Sequence, residues 1–440
     1  MGDYMFTLES HLSAEQYRVV AEMRDLAAEA GVNVFLTGGA MRDILGGFPV
    51  RDLDFSVEGN AAKLAKTAEK KCGAKIISTD EHRKSCELVF PGNVTAEIAM
   101  ARNEKYAKSG ARPQITSATI HEDLRCRDFT VNAVALSLNK ASLGLLIDPT
   151  NGAGDIERKE LRATHNYSFY DDPARMLRLI RFKARLGYTV DERTRSHFDN
   201  AREAGMLEKI PAEALGDELR RTATEINVGD VMHALSDEKL LELYSPALAG
   251  TKMNLPEFHK LQKARQLVPP GIAFHIQPVP LFLAVLMEKL NPKERAALAK
   301  SAALSKAELN AWQKLPALAK KLERDSKSAK LQKPSQLYLL LSSSPGEAIL
   351  YLLVYSEQRL VQDRIKNYFQ KYLPATQEVT NEMVAATGVV PGTPKFEKAK
   401  EAMVLKRLDA RPKKPVVEPL PPPPPPTSSF ARGPSVRHVR

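Results

Sequence analysis

Residues 34–57 read VFLTGGAMRDILGGFPVRDLDFSV, and this stretch constrains the fold more tightly than any other part of the chain. An apolar run, a Gly-Gly pair, a short helical pattern, a loop and a second, alternating run predict strand, turn, helix, loop and strand. Side chains alternate along a strand. The second run therefore puts Asp52, Asp54 and Ser56 on one face and Leu53, Phe55 and Val57 on the other. Two carboxylates at that spacing repel each other unless a cation sits between them, and Mg²⁺ favours one or two carboxylates together with substrate phosphates. Gly38 and Gly39 stand just before a helix start, where backbone N–H groups face a phosphate. The G-x-G-x-x-G spacing of dinucleotide-binding turns is absent. Each feature alone also fits a tight turn without ligand or a solvated strand. Together in one small unit, with Arg42 between them, they point to metal-assisted phosphoryl or nucleotidyl chemistry.

Around this unit, residues 14–30 carry apolar positions at helical spacing and end before Gly31, a C-cap. Residues 60–72 predict an Ala/Lys-rich helix, 75–78 a strand, and 86–90 with 94–100 a hairpin about Pro91-Gly92-Asn93. Glu97 lies among apolar neighbours in that hairpin, so it is paired, solvated on an edge, or a metal ligand. The polar, basic stretch after it, RNEKYAKSGARPQITSA, predicts a mobile loop. Residues 121–137 begin polar and turn apolar, predicting a loop that feeds a buried helix. Arg127 there has the planar fork that grips phosphate, or else forms a structural pair with Asp128. Asn132 could equally be a satisfied core amide. A last strand at 145–149 closes an alternation of strands and helices over 32–147.

From residue 171 onward almost no strand signal remains. Asp172-Pro173 predicts a helix start, and the helix DPARMLRLIRFKARLG ends at Gly187. Arg175, Arg178 and Arg181 step by three along one broad face, opposite Leu179, Phe182 and Leu186. Asp172 offers acceptors and Arg175 donors, which suits either a nucleobase edge or a plain N-cap with an i, i+3 ion pair. Segments 212–226, 229–244, 256–268 and 302–323 are helical in pattern, and a basic helix follows VVPGTP near 395. The final segment 411–440, with six consecutive prolines, predicts a disordered basic tail.

The net charge of +11 favours a polyanionic partner, nucleic acid before an anionic membrane. Three cysteines without C-x-x-C spacing fit a reducing cytosol, and no histidine cluster supports zinc. The apolar stretches are too short or too interrupted to span a bilayer, so a soluble, cytoplasmic protein is expected.

LTGGAMRD, RDLDF, EDLRCRDFTVNA, IDPTNGAGDI and YDDPARMLRLIRFKARLGY, in this order, resemble the bacterial-type (class II) tRNA nucleotidyltransferase and poly(A) polymerase family. The resemblance covers about residues 34–219. It implies an α+β fold, with a polymerase-β-like nucleotidyltransferase head followed by all-α neck, body and tail domains. The expected divisions are 1–155 (head), 156–225 (neck), 226–375 (body), 376–410 (tail) and 411–440 (disordered tail). By the same resemblance Asp52 and Asp54 hold catalytic Mg²⁺, with Glu97 as third carboxylate. Gly38, Gly39, Arg42 and Arg127 contact the nucleotide's phosphates and sugar, Asp172 and Arg175 recognise the base, and Arg178 and Arg181 bind the nucleotide further. The implied reaction is two-metal attack of a tRNA 3′-hydroxyl on the α-phosphate of CTP or ATP. Asp171, Cys126 and Ala214 depart from the family pattern. The stretch ARNEKYAKSGARPQ favours complete CCA or A addition over CC-only addition. Poly(A) synthesis is the alternative within the family, and a non-catalytic RNA-binding protein the alternative outside it.

Overall fold

The fold is described from a computed structural model, over residues 4–272 and 274–410. The expected disordered tail lies outside the described residues. The N-terminal half runs α1 (Tyr4–His11), α2 (Ala14–Ala30), β1 (Asn33–Thr37), α3 (Gly38–Leu45), β2 (Leu53–Glu58), α4 (Ala61–Cys72), β3 (Lys75–Asp80), β4 (Ser85–Phe90) and β5 (Val94–Met100). It continues β6 (Arg102–Lys105), β7 (Gln114–Ser117), α5 (Ile120–Cys126), β8 (Ala135–Ser137), β9 (Leu146–Ile147) and α6 (Gly152–Arg158). One seven-stranded sheet has the order β3-β4-β5-β2-β1-β8-β9. Only β2 and β5 are parallel neighbours in it, so the sheet is mixed and the head is α+β.

The two-residue alternation in β2 decides how this sheet is used. Leu53, Phe55 and Val57 join Leu36, Leu88 and Ile98 in a core covered by Val19 and Met23 of α2 and Leu64 and Ala68 of α4. Burying Phe55 in this way contributes roughly 2 kcal/mol. The opposite face is covered only in part, where Ile120 and Leu124 of α5 pack on Phe35 and Ala135. The rest of that face carries Asp54 and Glu97, directly opposite each other in the β2–β5 register. Helix α2 has the expected bounds, with a Ser13–Gln16 capping box and Gly31 as left-handed C-cap.

Two segments differ from the sequence expectation. The expected mobile loop forms the antiparallel hairpin β6–β7, paired from Arg102↔Ser117 to Lys105↔Gln114. Apart from Ile115 its strands are polar, so no hydrophobic alternation announces them. The expected buried helix in 121–137 is instead α5, a 3-10 turn at Thr130–Asn132 and strand β8. The break comes at Arg127, whose extended backbone turns its side chain toward the sheet. Asp128 then holds its own next N–H and the Asn132 amide, stabilising a turn over a continued helix.

Among the described residues the C-terminal half is helical except for β10 (Glu160–Leu161), paired in parallel with β11 (Thr189–Val190). Its helices include α7 (Ser168–Asp171), α8 (Arg175–Leu186), α9 (Glu192–Glu203), α10 (Ala212–Thr224), α11 (Val228–Asp237) and α12 (Leu255–Gln266). Helix α8 begins two to three residues later than the sequence suggests: Pro173 and Ala174 form a turn, and Asp172 Oδ1 accepts the Ala174 N–H. One continuous core runs from Phe129 to Leu373, and a smaller one gathers Ala375, Val379, Val384, Phe396, Val404 and Leu408. We propose the head, neck, body and tail divisions at 155, 225 and 375 for these regions; a single core crosses 225. No helix among the described residues is long and apolar enough to cross a membrane.

Phe129 ties the two halves together. It is fully buried and meets Phe182 of α8 edge-on, with ring centroids 5.9 Å apart. Phe129→Ala is expected to cost about 3–5 kcal/mol by urea unfolding at neutral pH, since it leaves a cavity between sheet and helix.

Candidate active site

The Gly-Gly turn exists because of what packs on it. Gly38 has φ +63°, and a Cβ there would stand 3.1 Å from Arg127 Nη1 and 3.2 Å from Asp54 Oδ2. A Cβ on Gly39 would stand 3.0 Å from Asp54 Oδ2 and 3.5 Å from Arg42 Nη2. Two bare backbone positions thus let a carboxylate and two guanidiniums close onto the start of α3. There the Ala40 N–H donates to Asp54 Oδ2 at 3.1 Å, in the first turn where a helix favours negative charge. Burial and the facing Glu97 carboxylate nonetheless push the Asp54 pKa up to about 6. Asp52 lies just before β2 and accepts a hydrogen bond from Thr95 Oγ1 of the neighbouring strand.

Asp52, Asp54 and Glu97 line the same cleft, which has a volume of about 430 Å³. This all-oxygen donor set, with mutual repulsion felt at Asp54, suits a hard divalent cation. Among the described residues, no three such side chains already close into a metal-binding cluster. Arg127 crosses the floor of the site, donating to Asp123 Oδ2 at 2.7 Å and to Ser56 Oγ at 3.0 Å. Against the cost of burial, Asp123 and Asp54 hold this guanidinium charged. Its partner is therefore Asp123; the alternative pairing with Asp128 does not form, because Asp128 belongs to Arg178. Arg42 donates to Asn132 Oδ1 at 2.7 Å and to Asp43 Oδ1 at 2.8 Å. Asn132 is thus a satisfied buried amide that also fixes Arg42.

Helix α8 forms the facing wall. Arg175, only 4% exposed, donates to Ser168 Oγ at 2.8 Å and to the Cys126 carbonyl at 3.0 Å, and its Nε lies 3.6 Å from Asp172 Oδ2. Arg178 bridges Asp128 at 3.1 Å and Glu218 at 3.0 Å. Arg181 bridges Glu218 and Glu225, both at 3.0 Å. Burial raises the Glu218 pKa, but Arg181 and Arg178 outweigh it and hold the carboxyl down at about 2. The hairpin β6–β7 adds Glu104 and Tyr106 near Arg175, and its Gly110 N–H donates to the Asp171 carbonyl at 3.3 Å.

All the residues singled out in the sequence border this one cleft: Gly38, Gly39, Arg42, Asp52, Asp54, Glu97, Arg127, Asp172, Arg175, Arg178 and Arg181. The departures are accommodated quietly. Cys126 Sγ donates to Asn103 Oδ1 and lends its carbonyl to Arg175, Asp171 lends its carbonyl to Gly110, and Ala214 packs against the helical core. Sequence reasoning missed Glu218, Glu225 and Arg185. The two glutamates lie seven residues apart, on the side of α10 that faces α8, and Arg185 extends the α8 arginine row by one more turn.

Residues 34–162 match the Poly A polymerase head domain family. An A-adding tRNA nucleotidyltransferase of Aquifex aeolicus is 34% identical over 237 residues, which is 54% of this chain and 28% of that protein. One from Halalkalibacterium halodurans is 37% identical over 194 residues, 44% of this chain and 45% of that protein. The chain spans less than half the length of these curated relatives. A solved CCA-adding enzyme, in its apo form II, aligns with a TM-score of 0.56 at 26% identity over 94% of this chain and 96% of that one. The resemblance to the tRNA nucleotidyltransferase and poly(A) polymerase family is borne out, and so is the expected α+β head followed by helical regions.

Glu218→Gln removes one negative charge from between the buried Arg181 and the half-buried Arg178 guanidiniums and is expected to cost on the order of 3 kcal/mol at pH 7. A carboxyl whose folded pKa is depressed stabilises above its unfolded value and loses that contribution as pH falls. The gap between Glu218→Gln and the parent protein should therefore narrow from about pH 4.5 down to about 2, followed by chemical denaturation across that range.

Proposed function

We propose that this chain, a member of the tRNA nucleotidyltransferase and poly(A) polymerase family, adds CCA to tRNA 3′ ends from CTP and ATP without a nucleic-acid template. The observation that carries the reading is the convergence of the β2–β5 carboxylates and the α8 arginine row on one cleft. Asp52, Asp54 and Glu97 supply the oxygens for Mg²⁺. When bound, the metal ions lower the pKa of the RNA 3′-hydroxyl and stabilise the leaving pyrophosphate. The Gly38-Gly39 backbone and Arg42 bind and orient the triphosphate, and Arg127 holds the sugar and phosphate beside Asp54. The 3′-oxygen forms a bond to the α-phosphorus while the bond to the β-phosphate oxygen breaks. Asp172 and Arg175 present an acceptor and donors to the incoming base, so the protein supplies the edge that a template strand would. Arg178 and Arg181 complete the wall, held by Asp128, Glu218 and Glu225.

The presence of the 101–114 segment supports completion with A. The A-adding relatives favour a second reading, in which the chain adds only the terminal A. Incubation with tRNA lacking its 3′ end, Mg²⁺ and labelled CTP or ATP separates the two: use of both nucleotides is expected. Label from ATP alone after a preformed CC end would establish A addition. A long A tail with CTP never used would establish poly(A) synthesis.

Asp54→Ala is expected to abolish incorporation, a loss of at least about 10³-fold, with unfolding midpoint and circular dichroism close to the parent's. Incorporation at the parental rate would overturn the assignment of Asp54 to the metal. Because Asp54 titrates near pH 6 before a cation arrives, the Mg²⁺ concentration for half-maximal activity should rise as pH falls below that value.

A further inference from the structure

Arg175 and Arg185 stand ten residues apart on α8, so the cleft extends roughly 15 Å along that helix from its base-facing end. At the far end, guanidiniums gather around one ring. The Cζ atoms of Arg42, Arg181 and Arg185 lie 5.2, 4.7 and 6.0 Å from the centre of Phe182. Arg51, from the loop before β2, reaches the same corner, 3.4 Å from Glu225 Oε2. Two carboxylates answer them. Asp43 takes Arg42 at 2.7 Å and Arg185 at 3.2 Å, and Glu225 takes Arg181 at 3.0 Å with Arg185 at 3.8 Å. Glu218, on the other side of Arg181, is already shared with Arg178.

Positive charge is therefore in surplus here, and two observations register it. Burial and the neighbouring Arg42 and Arg51 pull the Arg185 pKa down to about 10. Arg181 is 3% exposed, yet its Nη2 is buried with no hydrogen-bond partner among the described residues. A guanidinium fork matches phosphate oxygens two at a time, so an anion with several oxygens relieves this corner better than one more carboxylate. Arg42 stands between the corner and Asp54, next to Gly39. A nucleotide whose base meets Asp172 and Arg175 and whose α-phosphate meets the carboxylates thus points its tail here.

We propose that Arg185 and Arg51 bind the terminal phosphates of the incoming nucleoside triphosphate, forming a polyphosphate-tail subsite built jointly by the helix α8 and the loop before β2; this rests on the nucleotidyltransferase reading of the cleft. The subsite tells a triphosphate from a monophosphate and is indifferent to the base. It also bridges the sheet and the helical wall, so an occupied tail draws them together.

Calorimetric titration of the full chain with ATP, CTP and AMP tests this without turnover. The parent is expected to bind ATP more tightly than AMP. Arg185→Gln should weaken ATP and CTP alike by roughly tenfold or more and leave AMP within about twofold, with Arg185→Lys intermediate. Arg51 is 37% exposed, so Arg51→Gln probes the subsite without opening a core, and it should shift ATP and CTP in the same sense. If both glutamine variants keep the parental ATP-to-AMP ratio, or lose one nucleotide base selectively, the subsite is wrong while the function stands. A parent protein that binds none of the three nucleotides overturns the functional reading and the subsite with it.

Discussion

The contact on which the rest of the structure depends is the seating of the Asp54 carboxylate against the Gly38-Gly39 turn. It requires β1 and β2 to be neighbours, α3 to start where β1 ends, and two residues without side chains at the point of closest approach. Placing the carboxylate there also puts it opposite Glu97, because β2 and β5 run in parallel register. The fold thus gathers negative charge on one sheet face and leaves it under-compensated. An ordinary core does the opposite, and the depletion of cover on this face is what makes the strain affordable.

The helical wall solves the inverse problem. Four arginines on one face of α8 would repel one another if left alone. Asp128 from the turn after α5, Asp43 from α3, and Glu218 and Glu225 from α10 and its end interleave with them. Each guanidinium is locked by two directional bonds or stacked on Phe182, so the row is rigid before any ligand arrives. Rigidity of this kind suits recognition, since less freedom is lost on binding.

Much of this was legible in the sequence, for local reasons. The Asp52/Asp54 alternation, the Gly-Gly turn and the arginine spacing are short-range patterns, and strand and helix periods translate them directly into faces. What the sequence concealed was long-range or bland. Glu218 and Glu225 look like surface glutamates of an amphipathic helix until α8 is packed against them. The hairpin β6–β7 carries no apolar alternation, and its stability comes from pairing and from Gly110 resting against the Lys209 carbonyl and the Asp171 carbonyl. The turn at Thr130–Asn132 hid inside an apolar run because a half-buried Asp128, satisfied by Arg178, interrupts what composition alone would continue as helix.

Glu225 carries a consequence for how such chains can be recombined. Its carboxylate meets Arg51 from the sheet side and Arg181 and Arg185 from α8, while its carbonyl accepts the buried Arg265 of α12 at 2.6 Å. One side chain and one peptide group are therefore common property of three separately coded regions. A head exchanged between relatives carries residue 51 with it but would arrive without the partner it was fitted to, unless the 225–265 pair travelled too. The natural unit of inheritance here is the junction as much as the domain.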